Sequence, residues 1–165
     1  FDKAKWFNQQ HLRLQPEADL VADYRSEAAA RGLTLPSDTF ALAAMHLFMD
    51  RAEFIGDTLE GASYLFEDPS TYDEVMVGKK WTVDAPGYVT DLKGVFAQTD
   101  YSEAALENAF KAYLADKGYG FGQVGPVLRL AIAGTTQGPS IFTVMQLLGQ
   151  EASERRIDQA LTSLS

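Results

Sequence analysis

Few side chains of this chain carry reactive chemistry, and their spacing excludes most catalytic designs. His11 and His46 stand far apart in sequence, and no histidine pair has the spacing of metal ligands. His46 sits beside an apolar face and reads as a packed or half-exposed side chain. His11 closes a helical stretch, where an imidazolium suits the helix dipole. There is no cysteine, which excludes disulfides, thiol catalysis and cysteine-ligated zinc or iron–sulfur centres. No Gly-x-Ser-x-Gly elbow occurs, and Gly118-x-Gly120-x-Gly122 follows a helical pattern, so it reads as a turn and not a phosphate loop. The acidic pairs Glu67-Asp68 and Asp73-Glu74 read as solvated faces or helix caps. No catalytic, cofactor-binding or metal-binding residue is assigned, and a small hydrolase or metal enzyme would need a site that nothing here assembles.

Recognition chemistry is better represented. Arg129 interrupts the apolar run Val127-Leu128-Arg129-Leu130-Ala131-Ile132-Ala133. Either it leaves the polar edge of a helix or pairs with a carboxylate, or its planar guanidinium stacks on a base or grips a phosphate. Gln137-Gly138-Pro139-Ser140 follows. It is a plain turn that starts a helix, or a turn whose amides at the helix N-terminus donate to base edges or phosphate. Arg51 closes a long apolar helical stretch, where a cation complements the dipole. Lys79-Lys80-Trp81 is a basic-aromatic cluster that reads either as a solvated loop or as a contact to backbone phosphate.

The elements that must position these residues are helical. Phe1 to Leu14 forms an aromatic-rich helix that Pro16 ends. The next helix buries Leu20, Val21 and Tyr24 and stops at Arg31-Gly32. Ser37 or Asp38 caps a helix in which Phe40, Ala44, Leu47 and Phe48 share a face. Phe54, Leu59, Tyr64, Leu65 and Phe66 continue the apolar pattern, weakened at Gly56 and Gly61, until Glu67-Asp68-Pro69-Ser70 breaks it. A short helix is expected over Tyr72–Trp81, then a break at Asp84-Ala85-Pro86-Gly87. Tyr88, Leu92, Val95 and Phe96 mark the next helix. Ser102 caps another, carrying Leu106, Phe110, Tyr113 and Leu114 and ended by Gly118. Three helices at 121–133, 140–148 and 151–164 complete the chain. No strand alternation and no solenoid repeat appear, and the stretch 67–87 is the expected boundary between two helical halves.

Size and charge set the remaining bounds. The 165 residues suffice for one domain or two small ones, and 46% apolar with 22% charged residues is ordinary for a globular protein. No apolar run approaches the ~18 residues of a membrane helix, and no secretory leader opens the chain. The start at Phe1, without methionine, reads as an excised piece. A formal net charge of −9 argues against sequence-blind nucleic-acid binding, so any RNA contact must come from a few local cations.

The order Leu-Arg-x-Ala-x-x-Gly, Gly-Pro-x-x-Phe, Leu-Leu-Gly and Arg-Arg over the last forty or so residues resembles the C-terminus of bacterial-type glutamyl-tRNA synthetase, a glutamate–tRNA ligase. The likeness extends along the chain. Phe1-Asp-Lys-Ala-Lys-Trp6-Phe-Asn8 is similar to the segment after that family's catalytic half. Asp50-Arg51-Ala52, Leu59 and Tyr64-Leu65-Phe66 resemble its first anticodon-binding subdomain, and Ser102 to Gly122 with the Arg129 segment resemble its second.

The resemblance implies an all-α fold, two small helical subdomains forming an anticodon-binding helix cage, with subdomains at 1–75 and 76–165. It implies that Arg51 reads the third anticodon base, that Arg129 packs against the anticodon loop, and that Gly138, Pro139 and Ile141 hold the first two bases. The implied partners are the anticodon loop of glutamate tRNA and the parent's own catalytic domain, in a cytoplasmic, monomeric protein with no membrane part. The family's His-Ile-Gly-His and Lys-Met-Ser-Lys motifs are absent. ATP and magnesium would therefore belong to a missing catalytic domain, and this piece alone is expected to be inactive. Two departures stand out. Pro126 lies one position earlier than the family's usual proline, and Gly138 replaces a threonine, leaving only a backbone contact there. The alternative is an acidic helical protein-interaction module without RNA binding.

Overall fold

The structure is a computed structural model that describes residues 2–165; Phe1, expected to open the first helix, lies outside the described residues. Among the described residues every regular element is helical. The chain divides into two compact units, Phe1–Glu67 and Asp68–Ser165. The division falls at the Glu67-Asp68-Pro69-Ser70 break, ahead of the 75/76 boundary set from sequence. The reason is local: residues 68–73 are bound to helices of the second unit, as described below.

The first unit contains α1 (Asp2–Leu14), α2 (Glu17–Ala30) and α3 (Asp38–Phe48), followed by 3₁₀ turns at Met49–Arg51, Ile55–Leu59 and Ser63–Leu65. Gly32, at φ +73°, ends α2 in the left-handed region, and Leu33 N donates back to Ala28 O at 2.9 Å. Ser37 Oγ accepts from Phe40 N at 3.1 Å and caps α3. The core is Leu20, Tyr24 and Ala28 of α2 against Ala41, Ala44 and Met45 of α3. The face of α3 is therefore turned from the expected one. Phe40, Leu47 and Phe48 are half-buried, because the alanines let α2 approach closely and the larger rings are pushed to the flank. Phe40 there meets Phe66 edge-on at 5.9 Å. After Phe48 the chain turns in 3₁₀ form and not as a continued helix. Asp57 Oδ2 accepts from Glu53 N at 2.8 Å and Phe54 N at 2.9 Å, which tightens the bend and leaves Phe54 outside the core, 61% exposed.

The second unit contains α4 (Glu74–Lys80), α5 (Ala85–Phe96), α6 (Glu103–Lys117), α7 (Phe121–Ala133), α8 (Ile141–Leu148) and α9 (Gln150–Leu164). Asp73 Oδ1 accepts from Met76 N at 3.1 Å and starts α4 inside the Tyr72–Trp81 expectation. Asp84-Ala85-Pro86-Gly87 is not a break: α5 begins at Ala85, and the fixed φ of Pro86 fits its first turn. Ser102 caps α6 and Gly118 closes it at φ +70°. Helix α7 is the centre of this unit. Val124, Val127, Leu128, Leu130 and Ile132 are fully buried against α5 and α9, each such side chain contributing roughly 2 kcal/mol of apolar burial. Its open side is the stripe Gly122, Pro126 and Arg129, spaced at four and three residues. No described helix is long and apolar enough to cross a membrane.

Candidate nucleic-acid interface

The first unit offers Arg51. It ends the 3₁₀ turn after α3 and is exposed, while its chain neighbours Met49 and Ala52 are buried and anchor the turn. The adjacent Asp50 accepts from Arg13 Nη2 at 3.1 Å. Among the described residues no hydrogen bond or ion pair occupies the Arg51 side chain, so its donors face solvent.

In the second unit the implied residues lie on α7 (Arg129) and on the corner where α7 hands over to α8 (Gly138, Pro139 and Ile141). Arg129 is half-buried on the open stripe of α7. It already interacts within the protein. Gly134 ends α7 at φ +73°, and its amide donates to Leu130 O at 2.8 Å. Thr135 Oγ1 then accepts from Gln137 N at 3.2 Å. Gly138 has φ +129°, a conformation that favours glycine, so the threonine of the family pattern would be strained there. Pro139 is half-buried and Gly138 exposed. Ser140 precedes α8 without a side-chain cap, which leaves the first amides of that helix as open donors. Ile141 is 4% exposed. Its side chain anchors α8 in the core, so contact at position 141 falls to the backbone.

Sequence reasoning missed what braces this corner. Arg156, only 2% exposed, donates from Nη1 to Ile132 O at 2.9 Å and from Nε to Asp68 Oδ1 at 2.9 Å. Arg155 adds two bonds to the same carboxylate, Nε to Oδ2 at 2.6 Å and Nη2 to Oδ1 at 3.0 Å. Hydrogen bonding from Arg155 holds the Asp68 carboxyl below the ordinary carboxylate range; partial burial opposes this and Arg156 reinforces it. Gln159 Nε2 donates to Pro69 O at 2.7 Å, and Asp73 N donates to Gly134 O at 2.8 Å. Residues 68–73 thus form a strap across the carboxyl end of α7. The available signal was the position of Arg156 on the apolar stripe of α9 with Ser153, Ile157 and Ala160, where a cation requires a buried partner.

A family described as an anticodon binding domain matches residues 9–161. A glutamate–tRNA ligase of Flavobacterium johnsoniae is 29% identical over 164 residues, covering 99% of this chain and 32% of that protein. One from Chloroherpeton thalassium is 30% identical, covering 99% of this chain and 34% of that protein. The crystal structure of a glutamate tRNA ligase from Elizabethkingia meningosepticum in complex with its amino acid superposes with a TM-score of 0.89 at 28% identity, covering 99% of this chain and 32% of that one. The chain therefore spans about a third of the length of the relatives it matches.

Proposed function

This chain belongs to the anticodon binding domain family, and we propose that it is the tRNA-reading region of a cytoplasmic, monomeric glutamate–tRNA ligase. The whole protein would attach glutamate to tRNA at the expense of ATP, with ATP and magnesium held in a separate catalytic domain. Trp6 and Phe7 on α1 are exposed, 61% and 65% accessible, and would offer the remainder of such a protein an apolar surface.

The observation that carries this reading is the braced corner of the second unit. Open backbone donors at Gly138 and the start of α8 follow the helix that carries the half-buried Arg129, and a buried arginine fixes the end of that helix. Donors of this kind suit the edges of splayed bases, the usual targets of sequence-specific RNA recognition. Arg51 supplies paired donors for the third anticodon base; a base that cannot accept both leaves a polar group unsatisfied. Each matched contact contributes about 1–3 kcal/mol of discrimination, by analogy with base readout in DNA. A net charge of −9 suits this division of labour: little of the surface attracts phosphate indiscriminately, so the few cations decide where RNA sits.

Resonance mapping tests the location. On titrating the 165-residue chain with a glutamate-tRNA anticodon stem-loop, the Gly138 and Ile141 amides and the Arg51 and Arg129 side chains should shift. Shifts confined to other surfaces would remove these residues from the site.

A further inference from the structure

The Lys79-Lys80-Trp81 cluster at the end of α4 and the exposed Phe121 that opens α7 have no part in the corner described above, yet Lys80 bonds to α7 at Gly122, one residue after Phe121. Phe121 is 60% exposed but not loose. Its ring meets Phe110 edge-on at 5.5 Å and 75°. It also lies down on Gly125, where an added Cβ would fall 2.7 Å from Phe121 Cε1. Only glycine at 125 lets the ring take this place. Gly125 is thus buried beneath the ring, and Phe121 lies about 12 Å from Arg129 along the helix axis.

A cation is fixed at the residue after Phe121, Gly122. Pro126 has no N–H, so Gly122 O lacks its usual partner four residues on. Lys80 Nζ donates to that carbonyl at 3.3 Å. One of its three protons is used and two remain for a ligand. Lys79, in the same last turn of α4, is exposed. The charge pattern sets these two apart. Among the described residues of the second unit, Lys93, Lys111, Lys117, Arg155 and Arg156 each lie against a carboxylate. Among the described residues Lys79 and Lys80 have no carboxylate partner, in a chain that carries 23 acidic residues against 14 basic ones. The carboxyl end of α4 favours lysine through its dipole, but that does not account for a pinned, exposed ring beside it.

We infer that Phe121, Lys80 and Lys79 form a second RNA contact, in which Phe121 stacks on a base and the two ammonium groups bind the adjoining phosphates of the same tRNA. The bound nucleotides flank those taken at the Gly138 turn, because the open stripe Gly122, Pro126 and Arg129 runs along α7 from the Phe121 end towards that turn. This contact supplies affinity and position, not base identity, since every base has a face to stack and every nucleotide a phosphate. The inference rests on the reading of this chain as a tRNA binder.

The test is a binding titration of the 165-residue chain with two labelled stem-loops, the glutamate anticodon arm and a copy changed at the third anticodon base, from about 50 to about 200 mM salt. K79Q/K80Q should weaken both loops by the same factor, about three- to tenfold at low salt, and flatten the log–log salt slope by roughly 1–2. Phe121→Leu keeps the apolar contact with Phe110 and removes the stacking ring; it should weaken both loops about fivefold or more. Unchanged affinity and slope in K79Q/K80Q, whose lysines support no core, overturns the inference and leaves the patch to a protein partner. Wild-type chain that prefers the matched loop while K79Q/K80Q is silent fails the second contact alone. Wild-type chain that binds both loops alike, yet loses both in K79Q/K80Q, supports the second contact and removes anticodon discrimination. Wild-type chain that binds neither loop overturns both.

Discussion

Arg156 Nε lies 2.9 Å from Asp68 Oδ1, joining the first residue of the second unit to the only arginine of α9 that is buried. The same guanidinium holds Ile132 O, near the end of α7. One side chain therefore ties the strap 68–73 to the helix that presents Arg129. A buried arginine without its carboxylate is costly, so the pair is expected to be far more sensitive than the exposed ion pairs elsewhere on the chain.

Asp68→Asn should destabilise the second unit by roughly 2–3 kcal/mol at neutral pH, since the amide oxygen keeps only part of the hydrogen bonding. The sign with pH follows from the depressed folded-state value of Asp68. Its contribution is complete above the ordinary unfolded value, about 3.9, and is lost as pH falls through the lower folded value. Thermal melts of wild type and Asp68→Asn should therefore differ most near neutrality and converge in acid. A constant difference down to acid pH would show that the charge of Asp68 contributes nothing.

Two glycines with nearly the same backbone angle separate conformational strain from crowding. Gly118→Ala, at φ +70° with open space around it, should cost about 1–2 kcal/mol. Gly134→Ala, at φ +73°, places its Cβ 2.7 Å from Thr71 O and 3.1 Å from Pro69 Cβ. It must carry the same strain and also displace the strap. Chemical denaturation should show Gly134→Ala to be clearly the worse of the two.

Ile141 and Arg51 should behave as opposites. Ile141→Ala opens a cavity under α8 and should cost about 2–5 kcal/mol in unfolding experiments, with RNA binding reduced only through disorder of the turn. Arg51→Ala removes an exposed side chain and should shift stability by less than about 0.5 kcal/mol. Its effect should appear in RNA binding.

Most helices were legible because their ends carry local chemistry. Ser37 and Ser102 cap, Gly32, Gly118 and Gly134 reverse the backbone, and the apolar spacing of α6 through α9 is regular. The segment 49–66 was not, because Asp57 captures backbone amides that a helix would use, and no periodicity reports that choice. Pro86 was misleading because proline marks a break and a helix start alike. Arg129 and the Gly138 turn were visible as oddities of composition, a cation in an apolar run and a glycine before proline. Whether they face a ligand is a tertiary matter, and the brace behind them spans residues 68 to 159, a separation that sequence pattern does not encode.

The most direct test of the central claim compares binding of a glutamate-tRNA anticodon stem-loop with a copy changed at the third anticodon base, each titrated at low salt with wild-type chain and with Arg51→Ala. Wild type should prefer the matched loop by roughly 5- to 150-fold, the equivalent of one good base contact, and Arg51→Ala should abolish the preference while still binding both loops. A preference of the same size in Arg51→Ala, or equal binding of both loops by wild type, would contradict it.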